Sequence, residues 1–161
     1  MLPDDPTPGG AFWRFSLDFY ARPGVSAACL ALQDEHGLDV NLVLYACWVG
    51  ISGCGRLGVE DLAAAERAVA PWRGAVLEKL RAARRAMKHE DVAELYAEAK
   101  ALELAAEREA QRRIAAMAPP ERAGSDDQRI ADARANLMRY VGERAAAAAA
   151  PIAAALAMPG R

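Results

Sequence analysis

Apolar positions recur once per helical turn from Phe12 to Met117, and the runs are separated by short polar, glycine or proline breaks. The first run places Phe12, Phe15, Ser16 and Phe19 at i, i+3, i+4 and i+7, with Trp13, Leu17 and Tyr20 forming a second apolar face. A helix coated on both sides is enclosed or meets a partner, and Pro23-Gly24 ends it. The next helix, Val25 to His36, has the stripe Val25, Cys29, Leu32 and His36, with Gly37 suited to its C-terminal cap. Asp39 is a good N-cap for a third helix over Val40 to Ser52. There Val40, Val43, Leu44, Cys47, Trp48 and Ile51 occupy one side while Leu42, Tyr45 and Val49 fill the other, which predicts the central helix of the fold. The short turn around Gly37 makes these two helices an antiparallel hairpin, with Cys29 and Cys47 at about the same height.

Downstream, the glycines Gly53, Gly55 and Gly58 precede helices over Val59 to Ala70 and Trp72 to about Lys88, with Pro71 as a break or a first-turn residue. A long helix runs from about Asp91 to Met117, and a loop follows from Pro119-Pro120 to Gly124. Ser125 caps a last helix that passes Val141 into a run of alanines. The expected architecture is all-α, a single-domain helical bundle of about five to seven helices over residues 11–144. Residues 1–10, rich in proline and glycine, read as a disordered lead-in, and residues 145–161 as an alanine-rich tail that frays or is disordered beyond Pro151. A competing reading takes Val40 to Ile51 as a strand ahead of Gly53-Cys54-Gly55-Arg56-Leu57-Gly58, which fits the dinucleotide pattern G-x-G-x-x-G. No second strand follows, and Glu60 and Asp61 would repel a pyrophosphate at the next helix N-terminus, so a flexible interhelix loop is preferred.

Composition narrows the class. With 161 residues, one domain is the default. The 20 basic and 22 acidic side chains nearly balance, which removes global charge as an argument for nucleic acid. Three cysteines, an odd number, and an acidic, proline-rich N-terminus in place of a secretion signal predict reduced thiols in the cytoplasm. No run reaches the roughly 18 to 20 apolar residues of a membrane span.

Phe12-Trp13-x-Phe15-Ser16-Leu17 with Tyr20, Pro23-Gly24-Val25, Ala28-Cys29-Leu30-x-Leu32-Gln33-Asp34, Gly37-x-Asp39-Val40-Asn41-Leu42 and Trp48 together resemble the signature of a bacterial family of short, predicted all-helical proteins, a domain of unknown function. Trp72-Arg73, Arg81-x-x-Arg84-Arg85-x-x-Lys88 and Glu103-Leu104-x-x-Glu107 extend the resemblance, which covers roughly residues 11 to 117. It implies a helical cytoplasmic protein and carries no activity, cofactor or catalytic residue to transfer.

Candidate chemistry lies where residues break local rules. Gln33, Asp34, His36, Asp39 and Asn41 crowd one turn, and Asp34 and Glu35 stand in the last turn of a helix, where the macrodipole disfavours anions. Such a turn can hold a cation or a partner's arginine. Read structurally, Asp39 caps, His36 suits its helix end, and Asp34 or Gln33 bonds backbone or an arginine of another helix. In the long helix, Glu103 and Arg113 project into the apolar arc, with Glu107 at its margin, and charges facing a core need partners. Arg81, Arg84, Arg85 and Lys88 form a basic stripe at i, i+3, i+4 and i+7 on the preceding helix. Antiparallel packing would let Glu103 or Glu107 pair with it, or the stripe binds phosphate, RNA or an acidic surface. Without interleaved aromatics, nucleic acid is the weaker reading.

Cys29 and Cys47 lie in apolar stripes and read as small core residues, while Cys54, beside Arg56, is the candidate reactive thiol. No nucleophile, base and oxyanion set is visible, nor any metal-ligand spacing, and no cofactor is called for. The leading functional expectation is a protein-protein adaptor or regulator that presents Trp13, Leu17 and Tyr20 to another protein or a second copy, with no membrane partner. The alternative is a small-molecule, anion or cation binder or an enzyme, using the polar turn Gln33 to Asn41 and the stripe Arg81 to Lys88. A flat apolar patch favours the first; a concave pocket with converging polar groups and a shifted carboxylate favours the second.

Overall fold

A helix that is apolar on every side has to be covered on every side, and the architecture follows from that requirement. The computed structural model describes residues 5–157. Within it, α3 (Val40–Ile51) has every residue from Asn41 to Gly50 buried. Helix α1 (Pro8–Tyr20) covers one side, α2 (Val25–His36) precedes α3 across the Gly37 turn, and α6 (Ala93–Ala115) and α7 (Asp126–Ala155) close the remainder. The regular elements among the described residues are all helical. No helix among them is long and apolar enough to cross a membrane.

The helix ends follow local chemistry. Thr7 caps α1 by accepting the Gly10 N–H at 3.2 Å, with Pro8 in the first turn. The helix therefore begins inside the expected disordered lead-in, whose first four residues lie outside the described ones. Gly37 takes the left-handed conformation at φ 66° and donates to the Gln33 carbonyl at 3.1 Å, ending α2. Asp39 Oδ1 accepts the Asn41 N–H at 2.8 Å and starts α3.

Two expectations are corrected at the helix breakers. Pro71 does not separate two helices. Helix α4 (Val59–Trp72) runs through a π-helical turn, Arg73–Leu77, into α5 (Glu78–Met87), and the Glu78 N–H reaches the Arg73 carbonyl. Proline removes an N–H and crowds the preceding turn, yet that turn stays α-helical and the π-turn begins two residues beyond Pro71. The second correction is Gly142, which sits at φ 72° and ψ 173° within α7 and reverses its direction. Nineteen residues of straight helix would span about 28 Å, yet Arg134 Nε bonds the Ala153 carbonyl at 3.1 Å, so the two arms lie side by side. The alanine segment expected to fray is thus a packed arm. Ala145, Ala149, Ile152, Ala155 and Leu156 are buried, and Arg22 donates to the Ala155 carbonyl at 3.0 Å. Alanine buries little area alone, but its small side chain lets backbones approach. Residues 158–161 of the expected tail lie outside the described ones.

The strand reading of Val40 to Ile51 fails, and with it the dinucleotide unit, because the segment is helix α3 and the glycines follow a helix. Nor is the glycine loop slack. Asn136 of α7 accepts the Leu57 N–H at 2.8 Å and donates to the Gly55 carbonyl at 2.9 Å, while Arg56 pairs with Asp132 at 2.9 Å.

Aromatic contacts tie α1 to α3. The Phe12 ring lies 6.0 Å edge-on from Tyr45 and 5.1 Å from Trp48, geometries worth about 0.5–1.5 kcal/mol each beyond burial. Burial pushes the Cys29 thiol up to about 12 and raises Cys47 further, which fits core roles. The α5 and outer α6 segments protrude from this bundle. Leu95 and Leu102 of α6 are therefore about half exposed, because the bundle ends before it reaches them.

Helix α3 and the first arm of α7 approach closely at the backbone. A Cβ added at Gly50 would stand 2.1 Å from the Ala133 nitrogen, and backbone cannot yield as a flexible side chain can. Gly50→Ala is expected to lower stability by about 3 kcal/mol or more, at the top of the usual overpacking range. Gly74→Ala, with nothing near the new methyl, is expected to be neutral or stabilising by under about 1 kcal/mol. Urea melts of the two variants check this; equal midpoints would show that α3 and α7 are not in such close contact.

Candidate functional site

The residues singled out in the sequence divide between two adjoining hollows. One, of about 450 Å³, runs between α1, α3 and α6 with α5 along one wall. Trp13, Leu17 and Tyr20 of α1 line it together with Leu30, Val40, Leu44 and Leu104. Its polar wall holds Gln33, Asn41, Arg81, Arg84, Arg85, Glu103, Glu107 and Gln111. The other, of about 550 Å³, shares Gln33 and Arg81 and adds Asp39, Glu66, Arg73, Glu78 and Tyr140. The polar turn and the basic stripe, far apart in the chain, therefore meet at the mouth of α3.

A chain of hydrogen bonds organises the groove wall. Gln111 Nε2 donates to Asn41 Oδ1 at 2.9 Å, Asn41 Nδ2 donates to Glu107 Oε2 at 2.6 Å, and Arg81 donates to the other Glu107 oxygen. One turn away, Arg84 grips Glu103 with two nitrogens, the second at 3.2 Å. These pairs hold α5 against α6 in one register; partly exposed, they specify the arrangement more than they stabilise it. Half of the basic stripe is thereby neutralised. Among the described residues, Arg85 and Lys88 have no ion-pair partner, and Arg85 lines the groove while Lys88 does not.

The polar turn splits. Asp39 caps α3 and its other oxygen accepts from Arg73 at 2.6 Å, while Arg73 also holds Glu66. The Asp39 N–H donates to the Tyr140 hydroxyl at 3.1 Å. Asp34 and His36 are exposed and line neither hollow. Among the described residues, no three His, Cys, Asp or Glu side chains stand together as a metal-ion site would require. Arg113 reaches Glu109 at 2.8 Å and lies 4.4 Å over the Trp72 ring, so its charge is met within α6 and by an aromatic face. Cys54 is buried, and Arg56 turns to Asp132 in place of the thiol, which removes the basis for a reactive cysteine there.

The expected partner face is not a flat patch. Trp13 is only 6% exposed and forms groove wall, whereas Leu17 is 51% exposed at the rim. Three buried polar atoms of groove-lining residues lack hydrogen-bond partners: Trp13 Nε1, Ser16 Oγ and Gln111 Oε1. Ser16, read from the sequence only as part of a helical face, and Gln111 join the site here. Gln111 has a sequence signal, since Glu103, Glu107 and Gln111 fall at i, i+4 and i+8; Ser16 has none beyond its place on the aromatic helix. The carboxyl groups of shifted pKa are elsewhere: hydrogen bonds from Thr7 lower Asp5. Arg112 and Arg113 hold Glu109 down to about 2, outside the groove.

This is an all-helical protein with an enclosed central helix and an amphipathic groove at its polar end. The chain belongs to the family described as "Protein of unknown function (DUF2390)", whose model matches residues 11–114. No curated protein and no solved structure shows a match to it. The match takes in every residue that lines the groove, from Trp13 to Gln111, and stops before α7.

Two measurements test this chemistry, one in the groove wall and one on α6 outside it. Asn41→Ala removes the link between Gln111 and Glu107 and is expected to cost about 1–3 kcal/mol in a urea melt, since buried polar groups lose their partners; an unchanged midpoint would contradict the network. Glu109 is expected to titrate near 2 by carbon-detected NMR. Its folded pKa lies below the ordinary 4.5, so the pairing stabilises above that pH and is lost as pH falls through about 2. A midpoint at 4.5 would show that the arginines do not hold it.

Proposed function

We propose that this protein binds a small amphiphilic molecule in the α1–α3–α6 groove, with the apolar body against Leu17, Leu30, Val40, Leu44 and Leu104 and a polar head at Trp13, Ser16 and Gln111. One observation carries the reading: three buried polar atoms on the lining of a single groove have no partner in the protein. Each such atom costs about 1–3 kcal/mol unsatisfied. A head group that accepts from Trp13 Nε1 and donates to Gln111 Oε1 recovers much of that cost. Arg85, without an ion-pair partner among the described residues, favours a ligand with an anionic end. A cytoplasmic location belongs to the same reading and is supported by three free cysteines.

The protein-binding role is the second reading, favoured by a different observation. Leu95 is 49% and Leu102 57% exposed on the outer part of α6, apolar surface of the kind that meets other proteins. The two readings use different faces.

The test of the first uses 1-anilinonaphthalene-8-sulfonate, an apolar ring system with an anionic end, followed by dye fluorescence and by amide shifts of groove residues. Saturable one-to-one binding is expected, weakened about tenfold in Leu17→Asp, a loss of about 1.4 kcal/mol. Leu17 is half exposed, so the thermal melt of that variant should be unchanged. Binding that is unsaturable, or equal in Leu17→Asp and the parent, would overturn the reading.

A further inference from the structure

The glycine loop after α3 lines a third hollow, of about 330 Å³, that uses none of the groove residues. Arginines reach it from three separate segments: Arg56 from the loop itself, Arg122 from the connection before α7, and Arg129 from the start of α7. Facing them within the lining is one carboxylate, Asp132, which pairs with Arg56 at 2.9 Å and also accepts from Gln128 at 2.9 Å. Glu121, outside the lining, meets one terminal nitrogen of Arg129 at 3.1 Å. The Arg129 Nε remains buried with no hydrogen-bond partner, and among the described residues Arg122 has no ion pair at all. Asp126 and Asp127 of the same helix start do not line the hollow.

The surrounding backbone is held in place before any ligand arrives. Gly53 and Gly55 both adopt left-handed conformations, at φ 84° and 86°. The Arg122 N–H donates to the Gly53 carbonyl at 2.8 Å, locking the two loops together. A Cβ at Gly53 would stand 3.2 Å from the Arg129 guanidinium, so the glycine is what lets that side chain lie across the loop. The N–H groups of Gly55 and Arg56 find no acceptor among the described residues. Helix α4 plays no part, since Asp61 already accepts the Gly58 N–H at its N-terminus, at 2.7 Å.

We propose that this hollow is a binding site for a phosphate-class oxyanion, free or carried on a small phosphomonoester, held by Arg122, Arg129 and Arg56 against the glycine loop. A tetrahedral oxyanion supplies the acceptor that Arg129 Nε lacks and the counter-charge that Arg122 lacks, through charge-assisted hydrogen bonds. Peptide N–H groups left open beside left-handed glycines suit the same charge.

The experiment titrates the full chain with orthophosphate, and separately with phenyl phosphate, at constant ionic strength made up with chloride. The amide signals of Gly53, Gly55 and Gly124 are followed by NMR. Saturable shifts of these signals are expected with orthophosphate, and Arg122→Gln is expected to weaken the binding about tenfold. Arg122 is exposed and anchors the loop through its backbone, so the remaining amide spectrum should show the variant folded. Arg129→Gln is expected to weaken binding at least as much, and Lys79→Gln, the same charge change on an exposed remote residue, is expected to leave it intact. Equal affinities for the two probes identify the oxyanion itself as the recognised group; tighter binding of phenyl phosphate identifies a phosphomonoester. Shifts that chloride reproduces, or that persist unchanged in Arg122→Gln, would overturn the proposal.

Discussion

The enclosure of α3 is the constraint on which the rest of the structure depends. Ten consecutive residues, Asn41 to Gly50, are shut away from water, and a segment with that composition has no stable alternative on a surface. Covering it takes the aromatic face of α1, the outer helices α6 and α7, and a close backbone crossing at Gly50 and Ala133. Its polar end cannot be closed in the same way. Asn41 is 5% exposed and carries an amide that must find partners. Glu107 and Gln111 supply them, and with Arg81 they build the wall of the groove. The groove thus begins where the apolar helix runs out of apolar residues.

Around that end, charge is spent mainly inside the molecule. Arg73 joins Asp39 and Glu66, Arg81 holds Glu107, and Arg84 holds Glu103. These pairs tie the cap of α3 to α4 and α5 to α6, fixing how the outer hairpin stands on the bundle. The groups left without partners have a different distribution. Trp13, Ser16 and Gln111 gather on one groove, while Arg129 sits with Arg122 at the glycine loop on the α7 side. Tyr45 Oη, in the core, also lacks a partner and lines none of these hollows; the other four such atoms among the described residues stand on hollow walls, which invites a reading of those hollows as binding sites.

Much of this was legible in the sequence, because the decisive signals were local. Gly37 and Asp39 mark a helix end and a helix start within three residues, and the two-sided apolar pattern of Val40 to Ile51 already demands a central position. The opposed stripes Arg81-Arg84 and Glu103-Glu107 lie on consecutive helices, so their meeting needed only antiparallel packing. What was not legible depended on tertiary context. Pro71 and Gly142 are both helix breakers, yet one stands inside a helical rod that continues past it and the other reverses the chain. Local propensity does not separate those outcomes. The alanine arm looked too poor in area to pack, but close approach rather than area is what alanines offer. Arg122 and Arg129 converge on Arg56 across more than sixty residues of chain, with no spacing pattern to announce them.

Native-state amide hydrogen exchange tests the central claim most directly. If α3 is enclosed as described, the amides of Val43 to Gly50 exchange only through global unfolding, with protection equal to the stability measured by urea. Those of α5, where no residue is buried, exchange orders of magnitude faster. Exchange of the α3 amides through a low-energy local opening, with protection no greater than that of α5, would contradict the account.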